Sequence, residues 1–240
     1  MWYKDRGQSV PSATTMPVFR PQIARTRSLR NVVAAIAVAL GLLLPAFSGA
    51  REYEPQLLYL LPVYCRYTQV IRDKMPGGNN SAEIARWTRQ MGNTFIHMHH
   101  YCFGLMDVNR AALMSRTPQD RRHHLGNSIL EFNYVIERAP ADFSLLPEIL
   151  TKKGESLIKL GRGPEAVIDL KRAIRIKADY WQAYAALSDH YRGAGDQAQA
   201  REWLRKGLSA APNAPGLVRR MAELDRQSGA GSAARGPGGK

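Results

Sequence analysis

Apolar residues after position 50 recur at the three- and four-residue spacing of amphipathic helices, and no segment there alternates with the period of two typical of strands. The pattern predicts a first helical stretch over 51–72, in which Pro62 causes a kink or a break. Residues 75–80 (MPGGNN) form a loop by composition. The predicted fold class is therefore all-α.

Helix start signals divide the next part of the chain. Asn80 is the expected N-cap of a helix, with Glu83 three residues later as its capping partner. A longer helix is predicted over 94–114, and another should begin after the N-cap Thr117 and end near Glu137. Residues before position 94 thus form an N-terminal helical segment, 51–93, ahead of a hairpin.

A repeat follows, because residues 147–180 and 181–214 align at a period of 34. Small residues recur where two helices of a hairpin would cross, and large apolar residues recur beside them, which is the pattern that close antiparallel packing requires. The matched pairs are Gly154 with Ser188, Ala166 with Ala200, Leu170 with Leu204, Ala173 with Gly207, and the turn residues Gly161 with Gly195.

These positions resemble the tetratricopeptide repeat (TPR) family. The resemblance covers two repeats over 147–214 and, in a degenerate form, a hairpin over 94–146. It implies antiparallel helical hairpins stacked as a short TPR-type α-solenoid with extra N-terminal helices. A helix over 215–226 is expected to cap the stack, and the Gly/Ser/Ala-rich tail 227–240 is expected to be disordered.

The resemblance also implies where a partner would bind, since the first helix of each repeat lines a concave face that holds a peptide or a helix. Thr151 and Glu155 stand where some family members carry a Lys and an Asn that clamp a partner's terminal carboxylate, which argues against that kind of partner. The groove-lining candidates, carried over by position, are Glu148, Thr151, Glu155, Ile158, Gln182, Ala185, Asp189 and Arg192.

The amino terminus has the pattern of an export signal. Three arginines precede an almost purely apolar run over 32–44, Pro45 ends the run, and small residues lead to Ala50. Residues 1–50 are therefore predicted to be a signal peptide cleaved after Ala50, with Met16 as a possible true start; an uncleaved anchor is the alternative. Either reading places the rest of the chain across the membrane, in the periplasm.

The net charge of +14 raises the question of nucleic acid or an anionic membrane surface as a partner. Beyond the leader, however, the basic residues are mixed with acids, and no Lys/Arg block is interleaved with aromatic residues. No phosphate-binding loop, paired-carboxylate motif or two-histidine metalloprotease helix occurs either. We therefore expect a protein partner, no nucleic acid, no catalytic residues and no cofactor, with membrane contact only through an uncleaved signal segment.

The densest group of potential metal ligands is His97, His99 and His100 with Cys102. Imidazole and thiolate suit zinc or copper, so a periplasmic metal-binding or redox protein is the alternative function. These residues occupy two faces of one helix, and His123 on the next helix should lie about 12 Å away from them along the helix axis. Histidines that flank a core stripe, or that form a partner-binding or pH-sensing surface, are the other interpretations.

The two cysteines, Cys65 and Cys102, are predicted to form a disulfide in an exported protein, where it would contribute about 3–4 kcal/mol; two buried thiols are the alternative. The core stripe itself is predicted to comprise Phe95, Met98, Cys102, Leu105 and Ala112.

Aromatic residues cluster at the start of the second repeat, at Tyr180, Trp181, Tyr184 and Tyr191. They are either packing residues between repeats or an anchor for a partner. The sequence as a whole predicts an exported scaffold or adaptor in the bacterial cell envelope, with secretion, pilus and surface-polysaccharide assembly as possible settings.

Overall fold

The computed structural model describes residues 53–234, with side chains up to residue 227. The predicted signal peptide over 1–50, its cleavage site and the alternative start at Met16 lie outside the described residues. Between residues 53 and 234 the chain contains helices and turns but no strand, so the all-α prediction is confirmed. None of the helices in this range is both long and apolar enough to cross a membrane.

Nine α-helices follow one another in the described part of the chain, and three 3₁₀ turns lie among the first of them. The helices are α1 Pro55–Leu58, α2 Ser81–Met91, α3 Met98–Leu113, α4 Pro118–Ile136, α5 Leu146–Lys159, α6 Gly163–Ile176, α7 Trp181–Gly193, α8 Gln197–Ala210 and α9 Pro215–Ala234. The 3₁₀ turns are Val63–Tyr67, Arg72–Lys74 and Gly92–His97.

Neighbouring helices pack in pairs, α3 with α4, α5 with α6, and α7 with α8. The first helices of successive pairs also touch, since α5 contacts α7 and α7 contacts α9. Three helices from different parts of the sequence are thereby aligned along one side of the array.

The period of 34 is visible in the helix boundaries, because α6 begins at Gly163 and α8 at Gln197. The turns before these two helices are also alike. Gly161 and Gly195 have φ of 77° and 82°, a left-handed conformation that glycine adopts without strain. Each glycine amide donates to a carbonyl three residues earlier, Ile158 and Arg192 respectively, at 2.9 and 3.0 Å. Equivalent sequence thus produces equivalent local structure.

Small residues lie where the paired helices cross. A Cβ placed on Gly154 would come within 2.9 Å of the Leu170 side chain, and one on Gly207 within 2.7 Å of Leu217. A Cβ on Gly104 would collide with the Phe132 ring in the earlier hairpin. Helix axes can approach this closely only where side chains are absent.

The N-terminal region is less regular than predicted. The helical stretch predicted over 51–72, with a kink or break at Pro62, consists in its described part of α1 and short 3₁₀ turns. Pro62 has an extended backbone and Val70 a left-handed φ of 67°, and neither conformation continues a helix. The predicted helix over 94–114 begins only at Met98, because Gly92 has a φ of 59° and a 3₁₀ turn follows it.

One further boundary and one core residue differ from expectation. Ala112 is exposed, whereas Tyr101 and Met106 are fully buried and complete the core stripe of α3. Helix α9 continues to Ala234, beyond the predicted cap over 215–226 and into the tail that was expected to be disordered. Asn80 and Thr117 are N-caps as predicted, but the Glu83 side chain pairs with Arg86 and does not complete a capping box with Asn80. The reciprocal capping box forms instead between Thr117 and Asp120.

Specific cross-links hold the N-terminal region to α3. Cys65 and Cys102 form the predicted disulfide, and both are buried. Arg110 of α3 donates to Glu54 at 2.7 Å and to Asp107 at 2.9 Å. The start of the described chain is therefore held against the C-terminal half of α3.

Candidate functional site: a groove between α5, α7 and α9

A groove of about 470 Å³ opens between the three aligned helices α5, α7 and α9. This volume is within the range of protein binding pockets. Its lining residues are Glu155, Ile158, Lys159, Trp181, Gln182, Ala185, Ala186, Asp189, Arg219 and Arg220.

The floor of the groove is apolar, and Trp181 is its largest side chain. Ile158, Ala185 and Ala186 provide the remaining apolar surface. The Trp181 ring lies directly on Gly216 of α9, where a Cβ would collide with it. The bare backbone of α9 at Gly216 therefore allows the indole to approach closely. Trp181 belongs to the groove as well as to the packing between helices.

An ion-pair network closes the groove on the α9 side. Asp189 accepts from Arg220 Nε and Nη2 at 2.9 and 2.8 Å through Oδ2, and from Arg192 at 3.0 Å through Oδ1. Arg220 also donates to the Gly216 carbonyl at 3.1 Å. The Asp189 carboxylate thus fixes α9 against α7 through charge-assisted hydrogen bonds.

The other charged residues of the groove are less constrained. Glu155 accepts from Lys152 at 3.0 Å, a pair within one helix, and Arg219 lies 3.9 Å from Glu223. Lys159 is exposed and has no ion-pair partner among the described side chains. Lys159 and Arg219 are therefore the least constrained cations of the groove.

Five of the eight residues predicted to line the groove do so, namely Glu155, Ile158, Gln182, Ala185 and Asp189. The other three have roles within the fold. Glu148 accepts a 2.6 Å hydrogen bond from the Tyr101 hydroxyl, and Thr151 is buried and donates to the Pro147 carbonyl at 2.8 Å. Arg192 is held by Asp189.

The N-terminal region covers the end of α5 that carries Glu148. Burial, together with the neighbouring Tyr64 and Glu148, raises the pKa of Tyr101 well above its usual value. Burial also raises the pKa of Tyr64, with Glu148 contributing. Both tyrosines are therefore neutral, and Tyr101 donates its hydrogen bond to Glu148. This end of the aligned helices is filled by the protein itself.

The prediction missed Lys159, Ala186, Arg219 and Arg220. A third count of 34 identifies the two arginines, since Arg219 and Arg220 follow Ala185 and Ala186 by one period. The two arginines were not predicted because residues 215–226 were expected to form a capping helix, and a capping helix is expected to cover the array rather than to line its groove.

The histidine cluster has internal partners. His99 Nδ1 lies 3.0 Å from the Ile96 carbonyl, and His100 Nδ1 lies 2.6 Å from Glu131. His97 packs edge-on against Tyr134, and its pKa is lowered by burial. Cys102 is in the disulfide and offers no thiolate. Within residues 53–227 no three His, Cys, Asp or Glu side chains are grouped so that they could hold a metal ion.

The histidines of α4 lie at a different level of the hairpin. His124 Nδ1 is 3.7 Å from Asp107, whereas His100 is opposite Glu131. This spacing along α3 and α4 agrees with the separation expected from helix geometry.

Among the remaining aromatic residues, Tyr184 is a packing residue. It is buried, and its hydroxyl donates to the Ala178 carbonyl at 2.9 Å, across the turn that precedes α7.

Comparison of the sequence with profiles of known protein families and with curated proteins found no significant match.

Proposed function

We propose that this protein is a TPR-type scaffold or adaptor that holds a segment of another protein in the groove between α5, α7 and α9. The observation that carries the proposal is the groove itself, in which an apolar floor is bordered by charged side chains and is built from the first helix of each successive repeat unit. Apolar anchors surrounded by polar groups are typical of protein-binding surfaces.

The helix register supports the TPR-type assignment. Helices α6 and α8 begin 34 residues apart, as do α7 and α9, and the turns at Gly161 and Gly195 are equivalent. The array is short, so its groove is a shallow arc rather than a full superhelical turn. A short helix or an extended peptide with one large apolar side chain, placed against Ile158 and Trp181, is the occupant that suits it.

Export to the bacterial envelope is part of the same proposal. A buried disulfide between Cys65 and Cys102 suits an oxidising compartment such as the periplasm, and the leader over 1–50 has the features of an export signal. The settings proposed for such an adaptor are the assembly of a secretion, pilus or surface-polysaccharide complex.

A matched pair of isoleucines tests the groove. Ile158 lines it, whereas Ile168 on α6 is 66% exposed outside it. The full chain carrying Ile158→Lys should recover a specific envelope protein at least about tenfold less well than the wild type, because the apolar floor acquires a charge. Ile168→Lys, with the same chemical change, should recover the protein normally.

The result requires that both variants melt near the wild-type temperature, which circular dichroism checks. Equal losses of the recovered protein in the two variants, or no loss in either, would show that the groove is not where the partner binds.

A further inference from the structure

Two further clefts lie where the turn between α3 and α4 meets the end of α5. One cleft of about 330 Å³ is lined by Val108, Ala111, Ala112, Arg121, Leu125 and Lys159. The adjoining cleft of about 310 Å³ is lined by Ser115, Arg116, Thr117, Pro118, Arg121, Arg122, Lys159 and Leu160. Because Arg121 and Lys159 line both, the two clefts form one surface, which we call the turn cleft.

The turn cleft carries a concentration of positive charge. Arg116, Arg121, Arg122 and Lys159 are all exposed, and none of them has an ion-pair partner among the side chains of residues 53–227. No acidic residue lines either cleft. The nearest acid along the chain, Asp120, already accepts from the Thr117 amide in the capping box. Four uncompensated cations around one cleft favour an anionic ligand.

The same surface is also apolar. Val108, Ala111 and Leu125 provide the floor of the first cleft. At the end of α3, beside the second cleft, Leu113 is 65% exposed and Met114 is 41% exposed. Large apolar side chains this exposed, next to basic residues, are a feature of surfaces that insert into the boundary between lipid headgroups and acyl chains.

We propose that the turn cleft binds anionic phospholipid at a membrane surface. The headgroup phosphate lies among Arg116, Arg121, Arg122 and Lys159, and Leu113 and Met114 enter the acyl region. The turn cleft shares Lys159, but no other lining residue, with the groove between α5, α7 and α9. The proposal adds a membrane contact beyond the one expected from a signal segment.

The composition of the turn cleft favours lipid over nucleic acid. Single-stranded nucleic acid is usually held by aromatic side chains on which the bases stack, and none of the lining residues is aromatic. The exposed Leu113 and Met114 would have no role in holding a sugar–phosphate chain, but they match an acyl layer.

Hydrogen–deuterium exchange of the full chain tests the proposal, because it reports on the turn cleft separately from any insertion of residues 1–50. Vesicles of equal parts phosphatidylglycerol and phosphatidylcholine should slow exchange over 108–125, and vesicles of phosphatidylcholine alone should not. Each arginine near an anionic surface contributes about fivefold in affinity. Arg121→Gln with Arg122→Gln should therefore raise the lipid concentration needed for half-maximal protection about 25-fold. Leu113→Ser with Met114→Ser should raise the same lipid concentration about tenfold, because less apolar surface is buried in the membrane.

The matched controls make the same kinds of substitution at exposed residues outside the turn cleft. Arg175 and Arg205 are exposed on α6 and α8, so Arg175→Gln with Arg205→Gln removes the same charge and should leave the protection over 108–125 unchanged. Ile168→Ser is the control for loss of exposed apolar surface.

Three results would overturn the proposal. One is protection that the control pair weakens as much as the Arg121 and Arg122 pair does, and another is no local protection at all. The third is equal protection by inorganic phosphate alone or by single-stranded oligothymidylate, which would indicate a general anion site rather than a lipid site.

Discussion

The N-terminal region over 53–97 and the repeat region over 146–227 solve the same packing problem in different ways. In the repeat region, helices approach closely because small residues such as Gly154 and Gly207 recur at the crossings. The N-terminal region has no such period, and a disulfide together with the ion pair between Glu54 and Arg110 attaches it to α3. Regular packing is therefore encoded by spacing, whereas irregular packing depends on individual cross-links.

If this comparison is right, the largest effect should come from removing the disulfide. Cys65→Ala with Cys102→Ala should lower the free energy of unfolding by about 3–4 kcal/mol, since the loop between them is no longer closed in the unfolded chain. Urea unfolding measures the loss, and hydrogen exchange should show it concentrated over 53–97.

Reductant provides the control for that variant, because it should destabilise the wild type by a similar amount and leave the double variant unchanged. Equal loss of protection over 53–97 and 146–227 would contradict the comparison, since the two regions would then unfold as one unit.

A smaller effect is expected from crowding a helix crossing in the repeat region. Gly154→Ala places a Cβ 2.9 Å from the buried Leu170 side chain and should cost about 1–3 kcal/mol through overpacking. Gly126→Ala is the matched control, because Gly126 is also helical but has nothing within 4 Å of its Cβ position. That control should gain about 0.5–1 kcal/mol from better helix propensity. A stabilising Gly154→Ala would show that the crossing does not need a glycine.

The smallest change in the free energy of unfolding is expected from substitutions that test whether the turns of the two repeats are equivalent. Gly161→Ala and Gly195→Ala each place a Cβ on a left-handed residue in open space, so each should cost about 1 kcal/mol by backbone strain alone. Thermal unfolding of the two variants should give matching shifts. Clearly unequal shifts would mean that the shared period does not extend to the energetics of the turns.

The repeat region was predicted well because small residues, large apolar residues and turn glycines recur there every 34 residues, and this spacing determines where the helices cross and turn. The crossing residues Ala166 and Ala200 are fully buried, and the turns at Gly161 and Gly195 take the same conformation. The resemblance to tetratricopeptide repeats predicted the groove residues Ile158, Gln182 and Asp189. Arg219 and Arg220 would have been added if α9 had been counted as a third unit of 34 residues.

The N-terminal region was predicted less well because its conformation depends on long-range contacts. The left-handed Val70 has no local sequence signal, since β-branched residues disfavour that conformation. The bond between Tyr101 and Glu148, which removes Glu148 from the groove, joins residues 47 apart in the sequence. The disulfide was the exception, because a chain with two cysteines allows only one pairing.

Site-specific photo-crosslinking tests the central claim most directly. A photoreactive amino acid at Gln182, which lines the groove, is compared in living cells with the same amino acid at the exposed Ile168. We predict one protein crosslinked from position 182, none from position 168, and loss of the crosslink when Ile158→Lys is added. Crosslinking of the same protein from position 168, or a crosslink at 182 that Ile158→Lys leaves unchanged, would contradict binding in the groove between α5, α7 and α9.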